Sequence, residues 1–451
     1  MNTPQSTKNI DLKMLEEYLT RLVNVNETKK VFVTKDIFNE DSSLIANKGI
    51  EVNEAFRNHI IKSSFSSDIE KHLSIDNELD GIELFKRIQD YLSDHPSYLH
   101  IHTLLNLDSH LRFLCNSYQQ FPILRQKITV LALQLPIHFN RSLGAAWFSL
   151  LISCQRQLSE EEIQSAFLAG LCMEIGLLHL PPFNDSEAPK WTQSHAIIGW
   201  KILKGISELH NDVSLAVLEH HERCDGSGFP KASIENELGL IGQIVGMSCF
   251  IIDQQHIQGN GNTNIKSVDT KSANLHNIIP ALQVNATVHR YDIYETVITL
   301  IRKTSQENVS FLSNDNIESM INGILDKTKQ LIPWVDTLDL MLATYTGSHQ
   351  NKTFRSIKQS YTRLLSTIHG AGLLDSTASQ WLNDVKNKKL TCDFKEVENF
   401  DQFINELQRH LIFITSQCKH LLADKKNATD NDTLSYKKSW GQGLKKIETF
   451  R

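Results

Sequence analysis

His220-His221-Glu222-Arg223-Cys224-Asp225-Gly226-Ser227-Gly228-Phe229-Pro230 sets two imidazoles and two carboxylates side by side where a helical pattern stops. The stop follows from chemistry, because Gly226 and Gly228 weaken a helix and Pro230 cannot donate to one. Adjacent histidines on a helix point about 100° apart, so one can face a buried metal while the other reaches a second metal or a substrate. Read alone, the same pair also fits a solvated helix end.

Working outward, apolar residues recur at helical spacing from Gly81 to about residue 253, as in Ile82, Leu84, Phe85, Ile88 and Leu92. Ser159-Glu160-Glu161-Glu162 has the form of a capping box and predicts a helix running from 159 towards Ile175. Further helices are predicted over 193–204 and 212–222. Upstream, residues 31–53 mix β-branched and aromatic residues with an Asn-Glu-Asp and an Asn-Lys-Gly turn, the pattern of a short hairpin. Downstream, residues 254–277 are polar and contain Gly-Asn-Gly, which reads as a flexible insertion. Asp292-x-x-Glu295 suggests another capping box, and apolar periodicity returns over 292–304, 315–332, 354–373 and 395–423. The expected organisation is a small β-containing module (1–80), a helical linker (81–135), a central helical domain (136–255), an insertion (256–289), a C-terminal helical region (290–424) and a polar, locally basic tail (425–451).

Composition narrows the function classes. With 46 Lys and Arg against 52 Asp and Glu, the net charge of −6 offers no global field for a nucleic-acid backbone, so no nucleic-acid partner is expected. The seven cysteines are odd in number and never spaced as C-x-x-C, which argues against a disulfide framework or a zinc ribbon. No stretch approaches the roughly 18 uninterrupted apolar residues of a membrane span, and the N-terminus lacks a basic start followed by an apolar run. A cytoplasmic protein without a membrane span is expected.

The string at 220–230 resembles the HHExxDGxGYP signature of the HD-GYP family, bacterial metal-dependent phosphodiesterases that open cyclic di-GMP, with Phe229 in the tyrosine position. Upstream, His195-Ala196-Ile197-Ile198-Gly199-Trp200-Lys201-Ile202-Leu203 matches the family's histidine, glycine and leucine spacing, and Phe167–Gly176 sits where the family has its LLHDIGK helix. The resemblance covers about residues 135–255. It implies a mainly α protein: a helical bundle of HD-GYP type, with a small N-terminal α+β module and a C-terminal helical region.

Carried across residue by residue, the resemblance implies an eroded metal site. The defining His-Asp pair falls on Met173-Glu174, the following lysine on Leu177, the first histidine on Arg141 and the last metal aspartate on Cys249. His195, His220 and His221 remain as family-type ligands, with Glu174 as a residual oxygen donor. A thioether is a poor partner for iron, manganese or magnesium, and Arg141 brings a fixed cation where a second metal would sit. The expectation is no resident cofactor, with iron or manganese as the metal if one binds. Efficient hydrolysis should then be absent, because two-metal chemistry needs one ion to generate hydroxide and the pair to clamp both reacting oxygens. Glu174, His220 and His221 are the catalytic candidates if activity persists. Arg223, Asp225, Gly226, Gly228, Phe229 and Lys231 are the candidate ligand-binding set, the glycine N–H groups facing a phosphate. The implied role is signalling through protein partners, with weak cyclic di-GMP binding and a homodimer as expected associations. The alternative is a working phosphodiesterase on a non-standard site of Glu174, His195, His220 and His221. A nucleotide phosphohydrolase ranks behind both, since it needs the same His-Asp pair.

Overall fold

The structure, a computed structural model, describes residues 4–39, 43–63, 69–182, 190–259, 275–304, 314–345, 351–371, 373, 377–388, 394–423 and 431–450. Among them the chain is mainly α-helical, with two two-stranded sheets. It divides into two units, one of Met1–Glu222, Phe229–Lys231 and Glu237–Ala273, the other of Arg223–Gly228, Ala232–Asn236 and Asn274–Arg451. No helix of the described residues is long and apolar enough to cross a membrane.

The first unit opens with α1 (Pro4–Asn26), β1 (Val31–Val33), β2 (Ile37–Phe38), β3 (Leu44–Ala46), α2 (Glu54–Lys62) and β4 (Leu73–Ile75). The expected hairpin over 31–53 is present, closed by an antiparallel bridge between Phe32 and Glu51, but β1 takes a second partner. β2 pairs with β3, whereas β1 pairs antiparallel with the distant β4, Val31 opposite Ile75. Val31 and Val33 point into the core, and partners 44 and 40 residues on leave no mark in local turn chemistry. The helical part follows as α3 (Gly81–Ser93), α4 (Pro96–Leu104), α5 (Asp108–Tyr118), α6 (Pro122–Gln134), α7 (Pro136–Gln155), α8 (Glu160–Cys172), α9 (His195–Lys204), α10 (Asn211–Glu219) and α11 (Leu240–Gly259).

α7 is the central helix, buried without a break from Ser142 to Ser153, as expected of a helix apolar on all sides. α8 crosses it at Gly170, where a Cβ would lie 2.8 Å from the Ala145 carbonyl carbon, so the crossing needs a residue without a side chain. Ser149 Oγ meets Ser248 Oγ at 3.1 Å, joining α7 to α11.

The N-terminal module is tied to this bundle by buried polar contacts. Arg21 on α1 donates to the carbonyls of Leu178 and Leu180, each at 3.1 Å. Lys127 on α6, fully buried, stands 3.1 Å over the Tyr18 ring, pairs with Glu70 and donates to His179 Nε2 at 2.9 Å. His179 Nδ1 donates to the Met14 carbonyl at 3.2 Å, so both ring nitrogens are committed in the neutral form. Burial first, and Lys127 second, push the His179 pKa down to about 3 from 6.5. Below pH 6.5 the unfolded chain therefore takes up a proton that the folded chain refuses, so this histidine lowers stability as pH falls from 6.5 towards 3. Glu70, also held low, adds its loss only below about its ordinary 4.5. His179→Gln should remove about 2 kcal/mol of the stability lost between roughly pH 7 and pH 5. Denaturant titrations at the two pH values test this; parallel losses in wild type and variant would exclude the assignment.

The second unit contains α12 (Ile279–Val284), α13 (Tyr291–Thr304), α14 (Asn314–Ala343), α15 (Lys352–Gly370), α16 (Thr377–Lys388), α17 (Phe394–Ala423) and α18 (Asn431–Glu448) around a core that includes Ile321, Leu338, Phe354, Leu407 and Trp440. Four expectations are corrected here. Of the insertion at 256–289, residues 260–274 lie outside the described residues, but Leu275–Ile278 forms a 3-10 turn leading into α12 and buries Leu275, Ile278 and Leu282. The periodic run that stopped at 332 continues through Pro333, because Trp334, Leu338 and Met341 beyond it are buried, which outweighs the roughly 3 kcal/mol that an interior proline costs. Asp292 sits inside the first turn of α13, where its carboxylate accepts from Arg290 Nε at 2.9 Å and from the Ile293 N–H, rather than capping the helix. The polar tail at 425–451 is largely α18: Tyr436, Trp440, Leu444 and Ile447 form a buried stripe between exposed lysines. Burying Leu444 and Ile447 alone contributes on the order of 1.5–3 kcal/mol each.

Candidate functional site

The site is built by the ends of helices. The Ser159–Glu162 capping box forms as the sequence predicts, with Glu162 accepting from the Ser159 N–H at 3.0 Å and Ser159 Oγ from the Glu162 N–H at 3.3 Å. That cap sets the phase of α8, whose far end delivers Met173 and Glu174 into the interior, both almost fully buried. His195 begins α9 and His220 closes α10.

His195 Nδ1 donates to the Thr192 carbonyl and His220 Nδ1 to the Val217 carbonyl, each at 2.7 Å. A carbonyl can only accept, so both rings carry their proton on Nδ1 and both Nε2 atoms present lone pairs. These face one another at 3.2 Å. His221 stacks on Phe229 (4.5 Å between centroids) and meets the His220 ring at a tilt (4.0 Å). One ligand atom from each of His195, His220 and His221 lies within 4.8 Å of the others. Burial is the main cause holding all three pKa values below the ordinary histidine value, His220 at about 4, so the rings are neutral donors at pH 7. Converging neutral imidazole lone pairs suit a single transition-metal ion.

The rest of the pocket is arranged differently. Glu174 Oε2 lies 3.8 Å from His195 Nε2, while its Oε1 lies 3.3 Å from Arg141 Nε and 3.9 Å from His138 Nδ1. Arg141 Nη2 contacts Asp253 Oδ1 at 2.7 Å and Cys249 Sγ at 3.9 Å. Burial alone would raise the Glu174 pKa, but His138, Arg141 and His195 outweigh it and hold the carboxyl ionised. Burial likewise works against the charge on Arg141, and Asp253 with Glu174 outweighs it. Burial, then Asp253, pushes the Cys249 thiol well up, so it offers no thiolate to a metal. Met173 is fully buried, and Leu177 packs with Leu180 and Ile198. The donor set therefore fits one ion at the histidines, while the Arg141 guanidinium lies between the carboxylates of Glu174 and Asp253.

Two members of this network, His138 and Asp253, were not among the sequence-level candidates. Each lies one helical turn from an assigned position, His138 three residues before Arg141 on α7 and Asp253 four residues after Cys249 on α11. Spacing of i to i+3 or i+4 around an assigned residue was the signal that could have found them.

The candidate ligand-binding set is divided. Phe229 and Lys231 belong to the first unit, where the Lys231 N–H donates to Glu222 Oε1 at 2.6 Å, whereas Arg223–Gly228 belongs to the second. There Asp225 is buried, accepting from Ser227 N–H (2.9 Å), Ser227 Oγ (2.6 Å) and Ser360 Oγ (3.1 Å), with Arg363 Nη1 at 3.5 Å. Gly226 has φ +73°, a conformation that favours glycine, but its N–H already donates to the Arg223 carbonyl at 2.8 Å. The expected use of that N–H for a phosphate is therefore corrected: the glycine shapes the turn.

Residues 126–249, from within α6 to within α11, match the HD domain family. The cyclic di-GMP phosphodiesterase response regulator RpfG of Xanthomonas campestris pv. campestris (strain 8004) is 30% identical over 110 residues, 23% of this chain and 27% of that protein. The chain thus spans only about a quarter of this relative's length. The match encloses the buried histidine cluster, the Glu174 turn, the helix that carries Arg141 and the first half of the one that carries Cys249, and with the similarity to RpfG it supports an HD domain of the HD-GYP type in residues 126–249.

Proposed function

We propose that this chain is a cyclic di-GMP signalling protein whose HD domain no longer hydrolyses the dinucleotide efficiently and which acts through protein contacts, binding cyclic di-GMP weakly. The observation that carries the reading is Arg141, set between Glu174 and Asp253 at 3.3 and 2.7 Å; in this reading its guanidinium stands in for the second ion that two-metal hydrolysis needs. An ion held by His195, His220 and His221, with Glu174 beside them, would supply Lewis acidity at one oxygen, and iron or manganese suits those donors. The chain's own groups add little. Neutral imidazoles give general acid or base assistance of about 10²- to 10⁴-fold at most, and the Gly226 N–H is already committed within its own turn.

A second reading, an active phosphodiesterase on a one-metal site, is favoured by the facing Nε2 lone pairs of His195 and His220. One set of measurements separates the two. With manganese or iron supplied, the purified full chain should form linear dinucleotide no faster than a His220→Ala, His221→Ala double variant, and elemental analysis should find at most one transition-metal ion per chain. Clear turnover that the double variant abolishes, two ions per chain, or nanomolar cyclic di-GMP affinity by calorimetry would overturn the proposal.

A further inference from the structure

We propose that the second unit binds a small planar aromatic anion carrying a ring N–H or O–H donor, in a cavity of about 500 Å³ lined by α12, α13, α16 and α17. This cavity shares no residue with the histidine cluster and is independent of the function proposed above.

The walls specify the ligand. Trp381, Phe400 and Phe403 are only partly buried and turn aromatic surface to the cavity, with Phe400 edge-on to Trp381 at 5.8 Å and near-parallel to Phe403 at 6.4 Å. Aromatic surface left uncovered in a concave site favours a flat ring, which stacks or packs edge-on at little conformational cost. Arg302 supplies charge: it also lines the cavity and makes no ion pair among the described residues. Lys395, hydrogen-bonded to Glu398, joins it in the local field. After burial, these two cations are what lower the pKa of the cavity's His276, so the field there is positive although Glu396 stands at the edge. The third feature is a missing donor. Asn399 Oδ1 is buried against the cavity with no hydrogen-bond partner among the described residues, and an amide oxygen left so is costly unless a ligand donates to it. Ring, negative charge and donor in one small molecule satisfy all three.

Indole-3-acetate has each feature and serves as the probe, against tryptamine (same ring, opposite charge), octanoate (anion without a ring) and naphthalene-1-acetate (ring and anion without a donor). Calorimetry on the full chain should show indole-3-acetate binding more tightly than all three. Arg302→Glu and Trp381→Ala should each weaken it by about tenfold or more, and Asn399→Leu should erase its advantage over naphthalene-1-acetate. The wild-type probe series decides the matter even if a variant misfolds. No binding of indole-3-acetate at millimolar concentration, equal or tighter binding of tryptamine or octanoate, or folded Arg302→Glu and Trp381→Ala variants with unchanged affinity would overturn the proposal.

Discussion

Arg141→Ala should destabilise the first unit by about 3 kcal/mol, and Glu174→Ala by a similar amount. The Glu174 side chain is 4% exposed and that of Arg141 22% exposed, so removing either leaves a charge that water reaches poorly. The remaining neighbours replace the guanidinium only in part: His195 is held neutral by its burial, while His138, 3.9 Å away, still supports the carboxylate. The expected value sits at the lower end of the range for buried pairs because Arg141 keeps some solvent contact and Asp253 is 37% exposed. Arg141→Lys should fall between wild type and Arg141→Ala, since a point charge preserves the cation but loses the fork that reaches both carboxylates. Arg87→Ala is the control, because its pair with Glu83 joins side chains 54% and 41% exposed and should count for less than about 1 kcal/mol. Denaturant midpoints at unchanged m-value measure all four. If Arg141→Ala and Arg87→Ala prove indistinguishable, the pocket is not held by this pair.

Gly176→Ala should cost about 3 kcal/mol or more. A Cβ there would lie 2.0 Å from the His195 carbonyl oxygen and 2.8 Å from the Gly199 nitrogen. Both are backbone atoms, so no side chain can swing aside, and α9 must move away from the 3-10 turn Ile175–His179 that follows Glu174. His195 begins α9, so the same movement should draw its Nε2 away from His220, and any metal affinity of the three histidines should fall with the stability. Gly323→Ala supplies the contrast, being a helical glycine in α14 with nothing within 4 Å of its added Cβ. It should stabilise by about 0.5–1 kcal/mol through helix propensity. Thermal melts of the two variants should shift in opposite directions, and an unchanged midpoint for Gly176→Ala would refute the close approach.

The amino-acid sequence by itself determined the features whose causes lie within a few residues. The Ser159–Glu162 cap, the helical periods of α8 to α10 and the break that follows α10 come from spacing and from residues whose chemistry is local, whereas the grouping of His195 with His220 and His221 was implied by the family resemblance. Their hydrogen bonds and backbone angles are fixed one turn away, so a string of letters carries them. Only the tertiary structure decided the rest. His138 and Asp253 became part of the pocket because packing sets His138 on α7 near Glu174 and Asp253 on α11 against Arg141, and Asp225 found Ser360 and Arg363 more than 130 residues away. α14 runs through Pro333, and α18 forms among lysines, because burial summed along a helix face exceeds the few kcal/mol that propensity can set against it. Partners so distant in the chain leave no periodic trace, and which charge meets which is settled only when the helices pack.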